Sequence, residues 1–442
     1  MEAARPWGVE LDRDVELPPL AAAPIVLDGE RCAAVDPLAL LAAAGTAPRF
    51  YFEQPEARRA RVGIGSLACV EVHGRDRFAR AQRGVESLWA RLRWQGAGPQ
   101  RVALQGGFAF APSAAPRQGQ WQGFADGALH LPAYAYWQED ADSGQSWAAA
   151  TGCPHPLAPL PLGRPTRGGL AVARDDAQAY LRRAQLALRE IGKGRLSKLV
   201  LAREIHLSST EPIDVVAWLL ALRERFPNCT LYAIGMGTRC FFGASPEHLL
   251  RVQGREVETM ALAGTAARGA SRRRDAELAE ALGASPKERD EHAIVVAQLR
   301  AALAGCCSEV DVDAAPSLLK TRTVQHLCTR IRARHPSLSI LQLLARLHPS
   351  AAVAGAPSAS AQSWLAAHEG FDRGWYAGPV GYIDADGDGE FAVALRGALV
   401  DGARISAWAG AGLVADSDPA AEYTETELKL RSVLGPVLWG MP

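Results

Sequence analysis

The residues of this 442-residue chain that most suggest chemistry are acids in pairs. The spacing predicts a helix from Pro286 to about Ala304: Ser285 can cap it, Pro286 suits its first position, and Glu288, three residues after the cap, completes an S-x-x-E capping box. Capping accounts for Glu288 but not for Glu291, which shares a helix face with Glu288, His292 and Val295. The apolar continuation IVVAQL implies that part of this helix is buried, and a carboxylate beside a buried face needs a partner or a metal. A second helix is predicted from Asp418-Pro419 to about Val433, again with two acids near its start, Glu422 and Glu425. Two such pairs could converge on a hard cation such as Mg²⁺, which takes oxygen ligands. Equally, first-turn glutamates are favoured by the helix dipole and need no metal.

Three further residues stand out. Lys198 lies within the strand-like run S-K-L-V-L-A. On a solvent face it is ordinary; turned inward, desolvation lowers its pKa and makes it a candidate general base. Glu247 in GASPEHLL follows a strand and a proline turn, either at a pocket rim or in a plain loop. Arg396 interrupts the apolar strand FAVALRGALV, where an anionic ligand would explain it. Two glycine-rich stretches imitate other sites. GKGRLSK at 192–198 lacks the GxxxxGK[ST] spacing of a phosphate loop, and DADGDGEF at 384–391 opens like a calcium loop but has Leu395 at the twelfth position, so it reads as a hairpin turn.

Composition limits what these residues can serve. Lys and Arg total 48 against 48 Asp and Glu, so nucleic acid is not expected as the main partner. A 48% hydrophobic and 22% charged chain is ordinary for a globular protein. The first twenty residues lack an apolar signal region and no run reaches membrane-spanning length, so a cytoplasmic protein without membrane contacts is expected. The eight cysteines form no CxxC pair and the ten histidines no HExxH, which points to buried thiols and away from zinc.

The elements that must position the chemistry alternate irregularly. Residues 1 to about 148 read as several strands, for example RVALQGGFAFAP and GALHLPAYAYW, and 148–168 as a linker or long loop. Helices are predicted at 176–191, 214–225, 286–304, around 317–333, at 339–347 and from 419. Strands are predicted in LSKLVLAREIHL, TLYAIGMG, RCFFGASPEHLLRVQG, REVETMALAGTAARG, GWYAGPVGYID, GEFAVALRGALVDG and RISAWAGAGLV. Hairpins in place of strict βαβ alternation indicate an α+β protein on large antiparallel sheets.

Taken together, LSKLVLAREIHL, FFGASPEHLL, ALAGTAARG, SPKERDEHAIVV, LHPSAAVAGAP, DRGWYAGPVGY, VALRGALV and AGAGLVADSDPAAEYTETELKL resemble the chorismate-utilising enzymes. That group includes isochorismate, salicylate, anthranilate and aminodeoxychorismate synthases. The resemblance spans about residues 175–437 in family order, with GGFAF at 106–110 a fainter echo. It implies one large α+β domain, in which residues 1–170 add strands to a catalytic core at 175–437. Its architecture would be four layers, α/β/β/α, with two orthogonally packed, mostly antiparallel sheets. It implies that Glu291 and Glu425 ligate Mg²⁺ with Glu288 and Glu422 beside them. Tyr376 and Arg396 would hold the enolpyruvyl carboxylate of chorismate, with backbone around Gly264, Thr265, Gly410 and Gly412 and with Lys429 nearby. Glu247 would be the general acid, Lys198 the general base, and His348 would line the pocket.

Position 198 separates the branches. The ammonia-using members typically carry Gln there, whereas a lysine can deprotonate water, so no amidotransferase subunit is expected. Isochorismate synthase is the expected activity. The alternatives are salicylate synthase, which goes on to eliminate pyruvate, an ammonia-using synthase, and a non-catalytic chorismate-binding paralogue. Isochorismate feeds menaquinone, siderophore and salicylate synthesis, and RGWYAGPVGY leans towards the menaquinone type. Ser350 and Leu199 depart from the residues most members have, Thr and Val.

Overall fold

The computed structural model describes residues 24–96, 101–139, 146–150, 158–163 and 170–438. The predicted linker at 148–168 falls mostly outside them; its first residues end the strand Ser146–Ala150. The helices are α1 (Pro37–Ala43), α2 (Arg77–Arg91), α3 (Ala177–Gly192), α4 (Val215–Arg225), α5 (Arg272–Ala284), α6 (Pro286–Ala304), α7 (Ile340–Leu347), α8 (Ser358–His368) and α9 (Pro419–Leu438).

Strands assemble into one sheet of thirteen and one of ten, antiparallel except where Ile25–Cys32 pairs with Leu92–Gly96. Successive residues of a strand point to opposite faces, and here both faces of the larger sheet are apolar. Phe50, Phe52, Tyr232 and Ile234 enter the core shared with the second sheet, while Tyr51, Leu231 and Ala233 pack under α1, α4 and α9. A sheet covered on both sides gives up the hydrophobic-in, polar-out alternation, which is why its strands read as continuous apolar runs. Strands from the N-terminal part join both sheets: Arg49–Gln54 pairs with Thr230–Met236 in the larger, and Ala103–Phe108 with Pro379–Asp384 in the smaller. Among the described residues no helix is long and apolar enough to cross a membrane.

Some expectations are corrected. The helix predicted around 317–333 is two strands, Ser317–Lys320 and Val324–Arg334. The end of the second, T-R-I-R-A-R, alternates buried and exposed, and eleven of its residues pair with Glu256–Ala267; long-range pairing overrides the helical appearance of its leucines and arginines. FAVALRGALV is not one strand but two, Gly389–Val393 and Gly397–Asp401, separated at Arg396, whose φ is +50°. GWYAGPVGYID starts its strand only at Pro379, after a tight turn. Helices α1, α2, α5 and α8 were not anticipated. DADGDGEF forms the expected hairpin turn, closed by Asp384 Oδ1, which accepts from the N–H groups of Asp386 (3.1 Å) and Asp388 (3.0 Å). Every cysteine among the described residues is a free thiol.

The two broken strands set up the site. Arg239–Ser245 belongs to the larger sheet and His248–Gln253 to the smaller, so the chain changes sheets at Pro246-Glu247. Gly389–Val393 and Gly397–Asp401 make the return crossing at 394–396. The crossings are bonded side by side: Ala244 N–H to the Arg396 carbonyl (3.2 Å), Val393 N–H to the Glu247 carbonyl (3.1 Å), and the Ser245 hydroxyl to the Val393 carbonyl (2.6 Å). The acid and the arginine singled out in the sequence therefore emerge together, where the sheets meet.

Candidate active site

A cavity opens at this junction. Of the expected site residues, Glu247, Gly264, Thr265, Glu291, Tyr376, Arg396, Gly410, Gly412, Glu425 and Lys429 line it. Glu247 is 5% exposed. Burial pushes its carboxyl up to about 7, against the pull of Lys198, Lys429 and Arg396, so it holds a proton near neutrality. It is neither at a rim nor in a plain loop.

Lys198 begins the strand Lys198–Ser209 and points inward, 1% exposed. Its Nζ lies 3.0 Å from Glu291 Oε1. Opposite, Gly412 leaves the room this pair needs. A methyl there would fall 2.2 Å from Glu291 Oε1 and 3.2 Å from Lys198 Cε.

Arg396 Nη2 donates to His326 Nε2 at 3.2 Å. Burial, with Arg396 and Lys429 nearby, holds His326 well below the usual histidine range, so the ring is neutral. With Nε2 accepting, the proton is on Nδ1, which faces Thr265 Oγ1 (3.1 Å) and the Gly264 carbonyl (3.3 Å). His326 lines the cavity and was missed from the sequence because its segment was read as helix. Gly264, at φ +78°, makes the irregularity in Glu256–Ala267 that turns the backbone towards the cavity. Tyr376 stacks on Trp408 with centroids 5.8 Å apart, and burial raises its phenol to about 12, keeping the O–H as a donor.

The acids on the two helices do converge, through cations. Lys287 Nζ is 2.7 Å from Glu422 Oε1 and 3.5 Å from Glu288 Oε1, and Lys429 Nζ is 2.6 Å from Glu425 Oε1. With Lys198 on Glu291, a lysine contacts each acid. Burial and the neighbouring Glu291 raise Glu288; burial and Glu425 raise Glu422. Four crowded carboxylates with no sulfur or imidazole among them are the donor chemistry of a hard divalent cation. As the side chains stand, no three metal-ligating groups among the described residues are gathered closely enough to form a shell.

Two expectations fail here. The capping box of α6 is only half made: Glu288 N–H reaches the Ser285 hydroxyl (3.4 Å), but the Glu288 carboxylate turns away to accept the Thr265 N–H (2.9 Å). The Ser285 N–H instead continues the preceding helix α5, which ends where α6 begins. The carboxylate is thereby freed to join the acid cluster. His348 is not in the cavity wall; its Nε2 bonds the Phe110 carbonyl (3.1 Å) and its ring packs edgewise on Phe78 and Phe110.

The sequence matches the family described as "Chorismate binding enzyme" over residues 23–151 and 168–437. It is 40% identical over 409 residues to the "Salicylate biosynthesis isochorismate synthase" of Pseudomonas aeruginosa, covering 87% of this chain and 84% of that protein. It is 32% identical over 424 residues to the "Isochorismate synthase MenF" of Bacillus subtilis, covering 88% of each. Among solved structures, MenF, the menaquinone-specific isochorismate synthase from Escherichia coli, is similar with a TM-score of 0.77 at 28% identity, over 93% of this chain and 95% of that one.

Proposed function

The chain belongs to the chorismate-binding enzymes, and from that premise we propose that it is an isochorismate synthase, converting chorismate to isochorismate by adding water at ring C2 and expelling the C4 hydroxyl. The observation that carries this reading is a carboxylic acid held protonated near neutrality in the cavity wall and a buried lysine directly behind that wall, against its Glu291, because the reaction needs one group to take a proton and another to give one.

Lys198, as the base, takes a proton from the incoming water as its oxygen bonds to C2. The ring double bonds shift, the C4–O bond breaks, and Glu247 gives its proton to the departing hydroxyl, which leaves as water. One water enters and one leaves, and the proton gained by Lys198 equals the one lost by Glu247. Arg396 and Tyr376 hold the enolpyruvyl carboxylate, Arg396 kept in place by neutral His326. Of the backbone donors at Gly264-Thr265, the Thr265 N–H is already spent on Glu288. Glu291 and Glu425, with Glu288 and Glu422, would hold Mg²⁺. When bound, Mg²⁺ neutralises and orients the ring carboxylate.

We read residues 1–442 as one catalytic domain, since N-terminal strands hydrogen-bond into both sheets. It acts in the cytoplasm on a small soluble dianion, without an amidotransferase.

Purified protein with chorismate and Mg²⁺ should yield isochorismate without salicylate or pyruvate, measured by chromatography with fluorescence detection. A chelator should abolish turnover, and calorimetry should register Mg²⁺ binding. Stoichiometric salicylate would move the assignment to salicylate synthase. An ammonium-dependent amino product would overturn the water-adding reading, and absent turnover would favour a binding-only protein.

Gly412→Ala is expected to lower kcat about 10²-fold by displacing the Glu291–Lys198 pair, with near-ultraviolet circular dichroism unchanged. Wild-type kcat in that variant would show that the pair does not need the space.

A further inference from the structure

Arg373 and Glu369 take no part in the chemistry above, yet Arg373 lines the cavity and the two side chains are 3% and 4% exposed. Their carboxylate and guanidinium meet in a two-pronged bond, Nε to Oε2 and Nη2 to Oε1, both 2.6 Å. Desolvating such a pair commonly offsets its attraction, and apolar residues of similar volume often serve stability as well.

What the pair holds is backbone. One edge of Lys198–Ser209 is covered from Leu199 to Ser208 by Arg404–Leu413. Its other edge meets the short strand Gly355–Ala356 at Lys198 and Leu199, and Leu170–Arg174 only from His206 onward. In the gap, Val200 N–H still reaches the Ala354 carbonyl (3.0 Å), and then the ladder ends. Arg373 Nη2 donates to the Val200 carbonyl (2.8 Å), and Glu369 Oε1 accepts the Ala202 N–H (2.8 Å). The ion pair thus replaces the missing strand neighbour, satisfying groups that would otherwise be buried unpaired.

The same guanidinium ties in other parts of the wall. Nη1 donates to the Val353 carbonyl (2.8 Å), the group lies 4.2 Å over the Phe110 ring, and the Arg373 carbonyl accepts the Tyr376 N–H (2.9 Å). Val200, Val353 and Tyr376 all line the cavity.

We propose that Arg373 and Glu369 are positioning residues of the isochorismate synthase reaction. By fixing the backbone just after Lys198 against the Val353 and Tyr376 turns, they set where the base stands relative to the bound ring. This rests on the reading of Lys198 as general base.

The test is the double variant Glu369→Leu/Arg373→Met, assayed beside wild type for isochorismate formation, with near-ultraviolet circular dichroism to verify the fold. The expected result is a kcat about 10²-fold lower with KM for chorismate within about threefold. Should the double variant not fold, Arg373→Lys, which keeps the charge but loses the fork, decides on the same split. A folded variant with kcat within about threefold of wild type overturns the inference, as does a folded variant whose KM rises as far as its kcat falls. Wild type that makes no isochorismate overturns the reading of Lys198 and this inference with it, whereas wild-type turnover with an equally active variant overturns this inference alone.

Discussion

Lys198→Ala is expected to reduce isochorismate formation by about 10³-fold or more in kcat, with a smaller change in KM. The side chain is buried at the start of its strand, against Glu291, and no other lysine is paired with that carboxylate as closely. Lys287 and Lys429 are engaged with Glu422 and Glu425. Removing the ammonium leaves the Glu291 carboxylate buried without its partner, a change that typically costs about 3–5 kcal/mol when a buried pair is broken. Melting temperature is therefore measured beside rate, and Lys198→Gln, which keeps a donor for Glu291, serves as the milder variant. Both should be inactive in the product assay. A folded Lys198→Gln retaining more than about a tenth of wild-type kcat would remove lysine as the base.

Glu247→Gln should be as severe for a different reason, losing about 10²–10⁴-fold in kcat because glutamine fills the same space but gives no proton. Burial, against nearby cations, places the Glu247 carboxyl at about 7 in the folded chain. The wild-type kcat/KM should therefore fall as pH rises through about 7, and that limb should vanish in the variant. Stability should fall over the same rise in pH. A carboxyl whose folded pKa lies above its ordinary 4.5 binds its proton more tightly when folded, so its penalty appears as pH rises from 4.5 to about 7 and is complete above that. The size is about 3 kcal/mol at most, from 1.36 kcal/mol per pKa unit. Glu247→Gln should therefore melt higher than wild type at pH 8 and at about the same temperature at pH 4. An unchanged difference between the two pH values would show that Glu247 is not held protonated by its surroundings.

Much of the site was legible because its chemistry is local in sequence. Acid pairs three apart near helix starts, a lysine in an apolar run and an arginine within a strand-like segment are anomalies that can be seen one segment at a time. α6 was placed to the residue, since a serine cap, a proline at the first position and an apolar continuation all act within one turn. What could not be read were partners supplied from elsewhere. Nothing near Glu288 announces that its carboxylate will leave the cap for Thr265, 23 residues away. His326 was hidden because leucines and arginines in its segment suit a helix, and only pairing with Glu256–Ala267 makes it a strand. Glu369 and Arg373, just beyond the end of α8, give no sign of their role until the gap beside Val200 and Ala202 is known.

By itself, the sequence determined that the chain builds antiparallel sheets with helices, that carboxylates cluster at the starts of α6 and α9, and, through eight segments in order, which family it resembles. Only the tertiary structure decided that Lys198 points inward onto Glu291, that Glu247 and Arg396 stand on paired crossings between the two sheets, and that His348 is packing and not wall. The reason is one of range. Caps, turns and helix faces are governed by neighbours a few residues apart, whereas burial and the raised carboxyl of Glu247 depend on strands and helices brought together from distant parts of the chain.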